Sequence, residues 1–103
     1  MVNAHITIEK AFEETRELFV AFGDHYRQEI IIILSKNQRM TVKELSSQLE
    51  LSRPATSHHI KILKQAGMLG ERKEGVRTYY YPTLRASFDK VKKLINAADG
   101  IVE

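Results

Sequence analysis

The side chains best suited to metal or acid–base chemistry in this 103-residue sequence are four histidines, because the chain contains no cysteine. His58 and His59 are adjacent, so their rings diverge on a helix and cannot share one metal ion. His59 falls among apolar residues, where we expect a packed, hydrogen-bonded imidazole. A contact between His5 and His25 across two copies of the chain stays an alternative. Without cysteine, disulfides, zinc ribbons and thiol redox switches are excluded within the chain.

Recognisable catalytic motifs do not occur in the sequence. We find no glycine-rich phosphate loop, no nucleophile elbow and no pair of carboxylates at a working spacing. Gly23-Asp24 and the segment 67–70 are better explained by helix ends and turns. We therefore predict that the chain is not an enzyme and that it needs no cofactor.

Positive charge is concentrated in one part of the sequence. Residues 53–93 contain ten Lys or Arg against three Asp or Glu, a balance of +7, whereas residues 1–52 contain six against eight. A clustered positive region is the electrostatic footprint of a protein that binds a polyanion. An ordinary solvated surface would mix the two signs more evenly. The charge pattern thus favours nucleic acid as a partner.

The segment from Ser52 to about Ala66 is predicted to form a helix whose outer face binds double-stranded DNA. Ser52 is a good N-cap, Pro54 is tolerated in the first turn, and Gly67 is a natural helix end. The apolar face is predicted to consist of Ala55, His59, Ile62, Leu63 and Ala66. The opposite face suits a major groove, where arginine and hydroxyls reach base edges and lysines neutralise phosphates. The predicted DNA contacts of this helix are Ser52, Arg53, Thr56, Ser57, His58, Lys61 and Lys64.

A β-hairpin is predicted directly after this helix, with strands at 68–73 and 76–81. Its turn is placed at Glu74-Gly75, since glycine allows the positive φ of a tight turn. Basic side chains beside such a turn can follow the DNA backbone or enter a narrow minor groove. The alternative is an exposed hairpin whose charges provide solubility and protect its edges. The predicted DNA contacts of the hairpin are Arg72, Lys73 and Arg77.

Four further helices are predicted, at residues 7–22, 25–35, 42–49 and 84–99. Asp24 and Thr41 are suitable N-caps, and Glu44 can complete a capping box with Thr41. The β-branched run Ile30–Ile33 leaves a strand as an alternative for the second of the four. The first and last helices carry apolar residues at alternating spacings of four and three, which would suit an interface between two copies. The predicted dimer interface comprises Ile8, Phe12, Phe19, Phe88, Val91, Ile95, Ala98 and Val102.

Five short motifs follow one another in a fixed order along the chain. They are Ala-Phe-Gly-Asp-x-x-Arg at 21–27, Val-x-Glu-Leu at 42–45, Leu-Ser-x-Pro-Ala-x-Ser-x-His-Ile-Lys-x-Leu at 51–63, Ala-Gly-Met-Leu at 66–69 and Glu-Gly-Val-Arg at 74–77. In order and spacing they resemble the ArsR (SmtB-type) family of bacterial winged-helix repressors. The resemblance implies a mainly α, winged helix-turn-helix fold with about five helices and a two-stranded β-hairpin. The length of the chain predicts a single domain spanning residues 1–103. The resemblance also implies a homodimer, built from the first and last helices, that represses by occupying an operator until a signal releases it.

Many members of that family sense metals, but the residues that would hold a metal do not match here. Thr41 and Lys43 stand where one site has two cysteines. Val91 and Val102 stand where another site needs imidazoles, although Asp89 could supply its first ligand. We therefore expect no thiolate or histidine metal site. A non-standard metal site at the dimer interface and an unknown small-molecule effector stay open.

Taken together, these patterns predict a cytoplasmic, sequence-specific repressor that binds double-stranded DNA as a homodimer on a palindromic operator. No membrane partner is expected, because the sequence shows no signal peptide and no segment long enough to span a bilayer. The alternative is a winged-helix module that keeps the fold but binds a protein partner and not DNA.

Overall fold

The computed structural model describes residues 6–100, and this part of the chain contains five helices and one two-stranded antiparallel hairpin, as predicted. His5 and Val102, for which the sequence suggested roles, lie outside the described residues. Within residues 6–100, no helix combines the length and the apolar character that crossing a bilayer requires. The elements are, in order, α1 (Ile8–Phe22), α2 (His25–Asn37), α3 (Val42–Leu49), α4 (Arg53–Gln65), β1 (Leu69–Glu74), β2 (Arg77–Pro82) and α5 (Arg85–Asp99).

Side-chain caps fix where α1 to α4 begin. Thr7, Asp24, Thr41 and Ser52 each accept a hydrogen bond from the backbone N–H three residues further along. Each bond satisfies one of the donors that a helix start leaves unpaired. The Glu44 carboxylate accepts in turn from the Thr41 N–H at 2.9 Å and completes a capping box. The predicted starts of α2, α3 and α4 are therefore confirmed.

Helix α2 runs through the middle of the hydrophobic core. The β-branched run is helical and not a strand, because the Asp24 cap begins a helix in which Ile30 and Leu34, one turn apart, are both fully buried. α3 and α4 pack against this helix and bring their own apolar faces to it. The core that results comprises Leu18, Ala21, Ile30, Leu34, Met40, Leu45, Ile60, Leu63, Met68 and Leu69.

The hairpin of β1 and β2 begins and turns one residue later than predicted. Glu74 pairs with Arg77, so the turn is Gly75-Val76, and Gly75 takes the expected positive φ of 63°. Two backbone hydrogen bonds, of 3.1 and 2.8 Å, join Met40 to Tyr80 and fasten β2 to the start of α3. The hairpin is thus anchored beside the helix-turn-helix unit formed by α3 and α4.

Helices α1 and α5 pack against each other through small and apolar residues. The contact buries one set of side chains completely or nearly so, namely Ala11, Thr15, Leu18 and Ala21 from α1 with Ser87 and Leu94 from α5. The Phe22 and Phe88 rings stack at a centroid distance of 5.8 Å at one end of the pair. Much of the predicted four-and-three apolar pattern lies outside this contact, since Phe12, Phe19, Phe88 and Ile95 remain exposed.

Candidate nucleic-acid interface

Helix α4 packs on the core through a face that matches the predicted one only in part, since Leu63 is buried and Ile62 and Ala66 pack against the core as predicted. Thr56, Ile60 and Leu63, at spacings of four and three, are the buried residues of this helix. The Thr56 side chain has no exposed surface, and its hydroxyl donates a 2.9 Å hydrogen bond to the Ser52 carbonyl. The prediction that Thr56 contacts DNA is therefore wrong. Thr56 and Ile60, which the predicted apolar face omitted, are buried, whereas Ala55 and His59, which it included, are only partly buried.

The outer face of α4 carries the other predicted side chains, all of which are exposed. Ser52 begins the helix, and its hydroxyl accepts from the Ala55 N–H at 3.2 Å. The helix N-terminus is the positive end of the helix dipole, which suits a nearby phosphate. The exposed residues of this face are Ser52, Arg53, Ser57, His58, Lys61 and Lys64. Together they present hydroxyl, imidazole and cationic groups along one side of an otherwise packed helix.

Lys64 differs from the other cations of α4 because it has an acidic partner. Its ammonium lies 2.5 Å from the Glu71 carboxylate of β1. The hydrogen bond from Lys64 lowers the pKa of Glu71, so Glu71 is ionised at neutral pH. Lys64 therefore ties α4 to the hairpin, and its charge is less available to a phosphate than that of Lys61.

A groove of about 830 Å³ opens between α3, the start of α4 and β2. Cations reach it from all three elements, which are Lys43 of α3, Arg53 of α4 and Arg77 of β2. Sequence reasoning missed the contribution of α3. The sequence feature that could have indicated this contribution is the pair Lys43 and Ser47, which lie one turn apart on the exposed side of the helix.

One acidic residue also lines this groove. The Glu44 carboxylate is held by the capping box, and the hydrogen bond from the Thr41 backbone lowers the pKa of Glu44. Glu44 is thus ionised and fixed at the start of α3. Its single negative charge does not cancel the three positive charges of the groove, but it restricts where a phosphate can approach.

The hairpin presents its three predicted cations at the surface, but not in equal surroundings. Arg72 lies 3.8 Å from the Glu74 carboxylate, which also pairs with Arg39. The Arg39 guanidinium in turn stacks over the Tyr79 ring at 4.2 Å from its centroid. These contacts lie at the turn end of the hairpin, where Glu74 is the last residue of β1. Lys73 and Arg77 are exposed on either side of its tip.

Comparison with known proteins agrees with this arrangement. Residues 24–70 match the family model described as bacterial regulatory protein, arsR family. The chain is 39% identical, over 90 residues, to an uncharacterised HTH-type transcriptional regulator of Methanocaldococcus jannaschii; the match covers 87% of this chain and 97% of that protein. The chain belongs to the ArsR family. As a family member it is a DNA-binding transcriptional regulator and not an enzyme.

Other ArsR-family comparisons extend the likeness over most of the chain. The transcriptional repressor SdpR of Bacillus subtilis is 30% identical over 79 residues, which cover 77% of this chain and 87% of SdpR. The structure of HlyU from Vibrio cholerae superposes with a TM-score of 0.70 at 30% identity, covering 85% of this chain and 95% of HlyU. An ArsR-like regulator from Rhodococcus sp. RHA1 gives a TM-score of 0.79 at 23% identity, with 92% and 84% covered, and supports the fold alone. The predicted winged-helix fold is confirmed.

In this ArsR-family chain, the histidines occupy the places that the sequence indicated, as far as they are described. His59 is partly buried, and its Nδ1 lies 3.1 Å from an Arg27 guanidinium nitrogen, so the predicted packed and hydrogen-bonded imidazole is confirmed. His58 is exposed on α4, next to the other outward-facing groups. Among residues 6–100, no three potential ligands of the His, Cys, Asp or Glu type are grouped closely enough to hold a metal ion.

Proposed function

We propose that two copies of this chain form a homodimer that represses transcription by occupying a palindromic operator. The observation that carries the proposal is the outward basic face of α4 beside the exposed cations of the hairpin. A single helix fits the major groove, and short or forked side chains near its start can reach base edges. We assign base contacts to Arg53 and Ser57 and a phosphate contact to Lys61. The hairpin cations Lys73 and Arg77 would follow the adjoining backbone or minor groove.

The proposed dimer rests on the apolar surface that α1 and α5 leave uncovered. Phe12 and Phe19 of α1 keep 49% and 46% of their surface exposed, and Phe88 and Ile95 of α5 keep 42% and 55%. Such large side chains on one helix pair would form a contiguous patch of the kind that marks a protein–protein interface. Pairing two such surfaces around a two-fold axis would bury them. Val91 and Ala98, which are partly buried, would border this interface.

A two-fold dimer also determines the form of the operator. In such a dimer the α4 helix of each copy is the recognition helix, and two recognition helices that enter successive major grooves on one side of DNA lie about 34 Å apart. The two half-sites of the operator would therefore have opposite orientations and the same spacing. The regulating signal, if it is a small molecule, must act by changing this geometry or the affinity of the dimer. A metal bound by thiolates is disfavoured by the residue types, because the sequence has no cysteine.

Selection of duplex DNA from a random pool by the full chain tests this proposal. We expect an enriched inverted repeat, bound by a dimer, with an affinity that falls steeply as salt is raised. The same measurement on a duplex of scrambled sequence is the control. Absence of any enriched sequence, together with weak and salt-independent retention on DNA, would instead favour the protein-interaction alternative.

A further inference from the structure

We propose that Arg27 is a positioning residue, which holds α4 at a fixed orientation to α1 by donating to the unprotonated Nδ1 of His59. This inference rests on the proposed function, because it assigns the Arg27–His59 contact a role in setting the distance between the two recognition helices. Neither side chain needs to touch DNA. The bridge would act by fixing the relation between the dimer helices and the DNA-binding helix.

The guanidinium of Arg27 is anchored at the end of α1. Its Nε donates to the Ala21 carbonyl at 3.0 Å, and its Nη2 donates to the Val20 carbonyl at 3.1 Å. Both carbonyls lie in the last turn of α1, where the Val20 carbonyl also accepts from the Gly23 N–H at 3.2 Å. That end of the helix dipole attracts positive charge. The planar guanidinium is therefore held in place by two bonds before it reaches α4.

The third nitrogen of the same guanidinium faces α4. Arg27 Nη1 lies 3.1 Å from His59 Nδ1, and because arginine only donates, that ring nitrogen must be an unprotonated acceptor. The His59 ring also faces Asp24, 3.7 Å from Nδ1, and the rings of Tyr26 and His58, at centroid distances of 5.8 and 5.9 Å. Helix α2 thus supplies the acid, the aromatic ring and the guanidinium that surround this imidazole.

The bridge matters because α1 and α4 are separated by an open groove over part of their length. The groove holds about 600 Å³ and is lined by residues of both helices, among them Glu13, Glu17 and Val20 of α1 and Ile62 and Gln65 of α4. A space of this size offers no close packing to fix the angle between the helices. Outside the groove, Leu18 and Ala21 of α1 share the hydrophobic core with residues of α4. Arg27 adds a directional polar contact that joins the last turn of α1 to the middle of α4. Since α1 belongs to the proposed dimer interface, a change in this angle would move the two α4 helices relative to each other.

Protonation of His59 would break the bridge. Burial lowers the pKa of His59; Arg27 and His58 act in the same direction, while Asp24 opposes them. His59 therefore takes up a proton less readily in the folded protein than in the unfolded chain, where a histidine titrates at about pH 6.5. The bridge is intact above that pH and is lost as the pH falls through the pKa of the folded protein. A protonated Nδ1 would repel Arg27 and turn towards Asp24.

The test measures how strictly the protein requires one operator spacing. The probes are the duplex selected by the unmodified chain and two derivatives in which one central base pair is added or removed. We expect the unmodified protein to prefer the selected spacing by about tenfold or more at pH 7.5, and Arg27→Met and His59→Leu to reduce that preference to about twofold. Arg16→Met, which removes an exposed arginine from the same α1 groove, is the matched control and should keep the full preference.

A second pair of measurements separates positioning from a merely structural role. His59→Asn places an amide oxygen near the position of Nδ1, so it should keep the spacing preference at pH 7.5 and keep it as the pH is lowered, whereas the unmodified chain should lose the preference at the pH at which His59 becomes protonated. Nitrogen NMR of the unmodified protein should report a neutral imidazole with its proton on Nε2, and Arg27→Met should shift the Nδ1 signal.

The outcomes distinguish the two proposals. If the unmodified chain selects no DNA sequence, the proposed function and this inference both fail. If it selects an operator and discriminates spacing, but folded Arg27→Met and His59→Leu discriminate equally well, only the inference is overturned. A protonated Nδ1 at pH 7.5 would overturn it as well.

Discussion

Two outward surfaces of this chain differ in what they gain from a partner. The surface of α4 and the hairpin exposes charged and hydroxyl groups, which water solvates well, so it is stable without DNA. The surface of α1 and α5 exposes phenylalanine and isoleucine, whose removal from water is favourable. Exposure alone is therefore a poor guide to function, and the chemistry of the exposed groups decides. One surface is suited to reversible, salt-dependent contact, and the other to a lasting contact with a like surface.

Phe19→Glu should have the largest effect, since it places a charge in the proposed apolar interface. Burying a carboxylate there without a partner costs several kcal/mol, so we expect a monomer and a loss of operator affinity of about a hundredfold or more. Sedimentation velocity and fluorescence anisotropy measure the two effects. Ile32→Glu is the control, because Ile32 is similarly exposed, at 44%, but lies on α2. If the Phe19→Glu protein remained dimeric, the exposed apolar surface of α1 and α5 would not be the dimer interface.

Arg53→Ala tests whether the charged surface reads sequence or only attracts phosphate. As a base contact near the start of α4, Arg53 should contribute about 1–3 kcal/mol to binding of the selected operator and much less to binding of a scrambled duplex. Competition binding with the two duplexes measures the difference. An equal loss on both would make Arg53 a phosphate contact and leave Ser57 to carry the specificity.

Lys61→Ala and Lys64→Ala compare two cations on the same helix that differ in their partners. Lys61 should neutralise one phosphate, so its removal should flatten the slope of log affinity against log salt by about 0.9 on any duplex. Lys64 is engaged by Glu71 and should change the slope by less. Titrations at several salt concentrations, with both duplexes, measure this. A larger change for Lys64→Ala would mean that DNA displaces Glu71 from its lysine.

Local signals in the sequence predicted the elements well, because a cap and its acceptor lie within one turn. Asp24, Thr41 and Ser52 begin helices where their side chains indicated. The hairpin turn was misplaced by one residue, since Gly75 can occupy either position of a two-residue turn. The family resemblance supplied the architecture that local signals could not.

The parts of the site that sequence reasoning missed depend on contacts between distant residues. At about 100° per residue the sequence places His59 on the apolar face and Thr56 at the flank of the polar face. In the structure Thr56 is buried, with its hydroxyl bonded to the Ser52 carbonyl, while Arg27, 32 residues away, holds His59 at the edge of the core. Pairs such as Arg39 with Glu74 are separated by 35 residues and leave no periodic signal.

Ser46→Ala should leave both surfaces unchanged and shows whether stability and binding can be separated. The Ser46 hydroxyl of α3 is buried and has no hydrogen-bond partner among the described residues. Removing it relieves an unsatisfied polar group, and alanine has the higher helix propensity, so the free energy of unfolding should rise by up to about 1 kcal/mol. Urea denaturation measures this, and dimerisation and operator affinity should stay at their original values. A loss of stability would mean that the hydroxyl is bonded to water in solution, in which case the stability of α3 depends on a hydrated contact.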